Sequence, residues 1–178
     1  MKKIKQLGTL AFLALALTFG SCSSDSDGGS TSAAGDGTIS AKVDGKTVTT
    51  IKAGTVGVVN SNGDFKMLTL TGSSMSGQAI SITVFDFNGN GTYNLITDDG
   101  PSVSFTYTAL DFNDPQNTNN VWVAPGGDMT GTTGTLTVTE SSTERVKGTF
   151  SFKGVNNLGT FKDVKSGSFN VSLNQQGQ

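Results

Sequence analysis

Three oxygen-bearing side chains stand at alternate positions in Asp86-Phe87-Asn88-Gly89-Asn90-Gly91, the spacing of the first half of a calcium loop. Calcium takes about six to eight oxygens, and the loop pattern asks for a bidentate glutamate at its twelfth position. Thr97 occupies that position, with Asp98 and Asp99 just beyond. The stretch therefore reads first as a glycine-rich β-turn before a strand at Thr92 to Leu95, and second as a weak calcium site on Asp86, Asn88 and Asn90. Glycoside hydrolysis needs two carboxyls facing each other roughly 5 to 10 Å apart. Glu140 and Glu144 flank a hairpin turn and Asp98-Asp99 precedes Gly100-Pro101, places where exposed charge ordinarily solvates a turn. Trp122, Phe112 and Tyr93 are the aromatic side chains placed to line a ligand site, since Trp and Tyr join a flat apolar face to a polar tip. Tyr107 shares a face with Val103 and Phe105 and reads as core.

What is missing narrows the chemistry further. The chain has no histidine, which excludes Ser-His-Asp and Cys-His nucleophilic sites and imidazole-ligated metal. A single cysteine excludes an internal disulfide, a Cys-x-x-Cys redox pair and a thiolate zinc cluster. Downstream of Cys22 no Ser-x-x-Lys occurs, so a serine nucleophile with a lysine base has no motif to sit on. Charged residues are only 15% of the chain and the formal charge is −2, which leaves no broad cationic surface for nucleic acid. No catalytic residue is assigned.

The elements that must position these residues are strands. Glycine is 24 of 178 residues while proline is 3, a balance that suits many tight turns. From Gly37 onward short runs alternate apolar residues with Ser or Thr, as in Ile80-Ile82-Val84, Val103-Phe105-Tyr107 and Phe169-Val171-Leu173. That period of two marks strands with one face in a core and one in water. Asp44-Gly45 and Asn62-Gly63 lie between alternating runs and suit type I′ hairpin turns. About ten strands follow, in an antiparallel meander that closes as an up-and-down, calycin-like barrel or folds as a two-sheet β-sandwich. The longest irregular stretch, Asp111 to Gly131, holds a strand at Val121-Trp122-Val123 and is the first loop to consider for function. Val146 to Phe152 is echoed by Val164 to Val171, as two adjacent strands under one core demand would be.

Upstream of the strands the pattern is one of targeting. Lys2, Lys3 and Lys5 precede the uncharged, mainly apolar run Leu7 to Phe19, whose 13 residues fall short of the roughly 20 that span hydrocarbon. Residues 1–21 read as a signal peptide, 22–36 as a flexible Ser/Gly/Asp tether, and 37–178 as one all-β domain. Cleavage before Cys22 leaves nine basic against fourteen acidic residues, a net charge of −5. Such a module is not expected to be drawn to an anionic membrane beyond its anchor.

Gly20-Ser21-Cys22 resembles the bacterial lipoprotein cleavage box, with Phe19 where leucine is usual; the resemblance implies that the Cys22 thiol is acylated and anchors the chain. Ser23, Ser24, Asp25, Ser26 and Asp27 resemble the acidic export signal of surface lipoproteins of the Bacteroidota, the other reading being a solvated tether. The segments GTISAKVDGK, GTYNL, GTLTV, VKGTFSF and SGSFNVSL resemble an uncharacterised family of β-rich lipoproteins from the same bacteria. That resemblance implies an all-β extracytoplasmic domain and brings no catalytic residues. The expectation is a non-enzymatic binding or structural module, lipid-anchored at the outer membrane and facing the cell surface or the periplasm. Its partner would be a glycan, a small apolar ligand or a surface protein. A calycin-like carrier of an apolar ligand and a carbohydrate-active enzyme are the alternatives, and no cofactor beyond the weak calcium is expected.

Overall fold

The computed structural model describes residues 33–95, 101–126 and 131–176. The signal peptide, Cys22 and Ser23 to Asp27 lie outside them, as do Thr97, Asp98 and Asp99. The described chain is all-β. Its strands are β1 Thr38–Val43, β2 Lys46–Thr49, β3 Thr55–Asn62, β4 Phe65–Ser73, β5 Gln78–Phe85 and β6 Gly91–Asn94. They continue as β7 Ser102–Ala109, β8 Val121–Ala124, β9 Thr133–Ser141, β10 Arg145–Val155 and β11 Phe161–Gln176. The alternation seen in the sequence is what the strands use. Ile80, Ile82 and Val84 of β5, Val103, Phe105 and Tyr107 of β7, and Val146, Phe150 and Phe152 of β10 all point into one core, with hydroxyl residues between them facing outward.

Hydrogen bonding runs β11-β3-β4-β5-β7-β6-β9-β10 and back to β11, a closed ring of eight strands. β8 also bridges β7 and β10, and β1 with β2 forms a hairpin on the outer side of β11. The ring departs from a simple meander in two places. β6 leaves β5 to pair with β9, and it meets β7 through one parallel pair, Asn94 with Ser102. The ring then closes through parallel pairing of Leu173 to Gln176 with Gly57 to Asn60. The length of β11 makes this closure possible. At 16 residues it serves β10 on one side, and β1 and then β3 on the other. It bends at Ser166, whose φ of 50° marks a bulge that shifts the register with both β1 and β10.

The two hairpin dipeptides behave differently. Asp44 and Gly45 both have positive φ, 47° and 83°, as a type I′ turn requires. In the β3–β4 hairpin Asn62 still pairs with Phe65, so Gly63 and Asp64 make the turn and only Gly63 is left-handed, one residue later than the sequence suggests. The echoing segments of β10 and β11 lie side by side, Val146 opposite Val171 and Phe152 opposite Val164, which accounts for their likeness by shared packing.

The inside of the ring is filled with rings of its own. Phe105 stacks on Phe152 at 4.9 Å and faces Phe150 at 6.2 Å, and Phe150 meets Phe169 at 6.5 Å. Phe169 lies over Gly148, where a Cβ would stand 2.6 Å from its ring and 2.0 Å from the Thr137 carbonyl, so the chain can pass there only as glycine. Asp36, the last residue of the compositional tether, is already held to the domain, by Lys52 at 2.5 Å and by Arg145. Hydrogen bonds from both cations lower its carboxyl from the ordinary 3.8 to about 2.

Candidate functional site

The strand register puts the β3–β4 turn, the loop 86–90 and the β9–β10 turn together at one end of the ring. They surround an open cleft of about 620 Å³, within the range of roughly 300–1,000 Å³ usual for ligand sites. Its apolar floor is Val59, Phe87 and Leu173, and its rim carries the hydroxyls of Ser61, Ser141 and Ser142 with the Asn88 amide. Asp64 and Lys66, at the tip of one hairpin, add one charge of each sign.

Each wall has a local cause. The 86–90 loop departs from β5 through Asp86, whose φ is 53°, and returns through Gly89 at 100°. The Phe87 N–H then donates to the Lys66 carbonyl at 2.8 Å, tying the loop to β4 and turning the Phe87 ring inward against Tyr93. Tyr93 is the brace. Its hydroxyl lies 2.7 Å from the Gly89 carbonyl and 2.8 Å from Asn88 Oδ1, sharing its one proton between them, and accepts the Asn88 N–H at 3.2 Å. Burial raises the Tyr93 phenol above its usual 10.0. In the β9–β10 turn the Ser142 hydroxyl accepts the backbone N–H groups of Glu144 and Arg145 at 3.3 and 3.1 Å.

The residues singled out in the sequence fall as follows. Tyr93 is buried and spends its hydroxyl on the loop, so it shapes the cleft from beneath. The Asn88 oxygen that a cation would require is the one facing Tyr93, and the Asp86 to Gly91 stretch is organised as a braced turn. No group of three or more acidic, Cys or His side chains that could hold a metal occurs among the described residues. Trp122 sits on β8 and points inward, 8% exposed, its ring tilted against Tyr107 at 5.8 Å with Lys162 Nζ 4.5 Å above it. Phe112 is exposed at the end of the ring away from the cleft, its ring edge against Gly77. Trp122, Phe112 and Tyr93 are thus on three separate elements. Glu140 is paired with Lys147 at 2.6 Å, and Asp64 is the one carboxylate among the described residues lining the cleft. Sequence reasoning missed the cleft because its rim comes from three turns far apart in the chain. The turn chemistry of Gly63 and Gly89 was its only trace.

A scan against protein-family models finds no match for this chain, and searches of curated proteins and of solved structures find none either.

Proposed function

We propose that the protein is a non-enzymatic binding module, lipid-anchored through Cys22 at the outer membrane, that takes a neutral polyhydroxylated ligand such as a glycan in the cleft at the end of its ring. The observation that carries this reading is the cleft's composition. An apolar floor suits the C–H face of a sugar, serine hydroxyls and an amide suit its rim, and the adjacent Asp64 and Lys66 offset each other's charge. The single carboxylate of the described lining supports binding over glycoside hydrolysis, which works with two. The Phe105, Phe150, Phe152 and Phe169 rings that occupy the interior support it over the carrier reading.

The test is amide chemical-shift mapping of the isotope-labelled protein against a panel of neutral oligosaccharides at millimolar concentration. Shifts should gather at residues 61–66, 87–89 and 141–143, and Ser61→Trp, which fills the mouth, should abolish them. No shift with any glycan, or shifts that survive Ser61→Trp, would overturn the reading. Anchorage is tested separately: Cys22→Ala should end fatty-acid labelling and release the chain from membranes, and Asp25→Ala with Asp27→Ala should reduce protease access on intact cells.

A further inference from the structure

We propose that the end of the ring opposite the cleft docks on a phospholipid surface, its apolar loop tips entering the headgroup boundary and a lysine group beside them meeting lipid phosphates. Met75 in the β4–β5 turn, Phe112 after β7 and Leu158 in the β10–β11 turn are 81%, 67% and 67% exposed, the highest values among the large apolar residues described. One loop holds the three together. The Leu110 N–H donates to the Gly77 carbonyl at 3.0 Å and the Phe112 ring covers Gly77, which joins the loop to the turn of Met75. At its other end Asn119 accepts from the Asn156 amide at 2.7 Å, which joins it to the turn of Leu158. Val121, Val123 and Val155 continue the surface as an outward apolar groove of about 440 Å³. Exposed apolar tips gathered at one end of the ring mark an interaction surface.

The charge beside the tips points to the occupant. Phe161, exposed and paired with Val155, carries Lys153 Nζ 4.5 Å from its ring centre. Lys42 stands directly opposite Lys165 across β1 and β11, and Lys46 follows at the adjoining turn. Nearby Asp44 and Asp163 are engaged by Lys162 and Lys165. Lys165 is itself paired with Asp163 at 3.6 Å, so Lys42 directly opposite it is the cation that an anionic surface would meet first. The loop's own Asp111 and Asp114 oppose such a surface, so the tips and the lysines must outweigh them. Apolar tips flanked by lysines are the pattern of a protein that lies on a bilayer.

The tether brings the two within reach, and here the inference rests on the anchor reading. Ala33 and Ala34 already lie beside Gly148 and Phe169, and the ten residues from Ser23 to Ser32 extend to roughly 35 Å at about 3.3–3.6 Å each. From Gly148 to the far end of β10 at Val155 is about 23 Å along the strand at roughly 3.3 Å per residue, and less along the axis of a ring of tilted strands. An anchored domain can therefore present its far end to the lipid, and tethering makes even weak insertion an intramolecular event. Docked this way, the cleft faces away from the bilayer.

The test uses the full chain reconstituted in vesicles of about three parts phosphatidylethanolamine to one part phosphatidylglycerol, with or without brominated acyl chains. Phe112→Trp reports on the proposed docking end and Phe65→Trp on the cleft end, over the constant background of Trp122. Emission from Phe112→Trp should be shifted to the blue and quenched by bromine, and that from Phe65→Trp should be neither. Removing Lys42, Lys153 and Lys165 as glutamines should lower the docking equilibrium read from the quenching at low salt, by up to about fivefold per lysine, and leave it unchanged in phosphatidylcholine vesicles. Flotation of the same vesicles reads anchorage independently. A chain that floats with Phe112→Trp unquenched overturns the docking and leaves the tips to a protein partner. A chain that does not float overturns the anchor, and quenching by added vesicles at millimolar lipid then decides the docking alone.

Discussion

Phe105→Ala tests whether the ring is a packed core or a container. Phe105 is 1% exposed, stacks on Phe152 at 4.9 Å and on Phe150 at 6.2 Å, and borders the backbone of Gly134. Truncating a phenylalanine held on all sides costs about 3–5 kcal/mol, the transfer of the ring plus the cavity it leaves. The two stacked contacts, about 0.5–1.5 kcal/mol each, place this site in the upper part of that range. With an m-value of about 2 kcal/mol/M for a domain of this size, the urea midpoint should fall by about 2 M. Phe105→Leu should lose about half as much, and a double-mutant cycle with Phe152→Leu should show coupling of about 0.5–1.5 kcal/mol. The hole left by Phe105→Ala is apolar and enclosed, so benzene should raise the melting temperature of the variant and leave the wild type unchanged. A midpoint shift under about 0.5 M, or stabilisation of the wild type by benzene, would mean an open interior and would restore the carrier reading.

Three further outcomes follow from particular contacts. Because the folded carboxyl of Asp36 is held at about 2 against an ordinary 3.8, its contribution is complete above 3.8 and disappears as pH falls through about 2. The melting temperature of Asp36→Asn should therefore lie below wild type at neutral pH and converge with it near pH 2. Tyr93 and Tyr107, the only two tyrosines, are both raised above 10.0 by burial, so the folded chain should show little phenolate absorbance at pH 10. Their contribution is full below pH 10 and lost above it as pH rises through the folded values, so phenolate should appear together with loss of β circular dichroism. Gly148→Ala forces a methyl onto the Thr137 carbonyl and the Phe169 ring and should cost about 2–3 kcal/mol in urea, whereas Gly126→Ala, with no contact under 3.6 Å, should fold like wild type.

The strands were legible wherever one face meets the core and the other meets water, as in β5, β7 and β10, because a period of two needs only neighbouring residues to be read. Which face turns inward is not written in that period. Val121-Trp122-Val123-Ala124 alternates equally well either way, and the structure buries Trp122 and Ala124 and turns the valines out. The parallel closure of β11 on β3 was illegible for a different reason, since register between distant strands depends on a bulge at Ser166 that no local residue announces. The candidate sites share that difficulty. The cleft needs Asp64, Asn88 and Ser142 side by side, and a formal net charge of −2 averages away the lysines that β1, β10 and β11 bring together.

β11 is the strand that pairs with β1, β3 and β10 alike and so closes the ring. A chain delivered from its N-terminus can build the sheet from β3 through β5, β7, β6 and β9 to β10, yet it has no way to close β10 back onto β3, or to seat the β1–β2 hairpin, until residues 161–176 arrive. Nearly all of the entropy of closing the ring is therefore deferred to the final step. Until then β3 and β10 each keep an edge that β11 alone covers, so the last residues to arrive are the ones that close the ring.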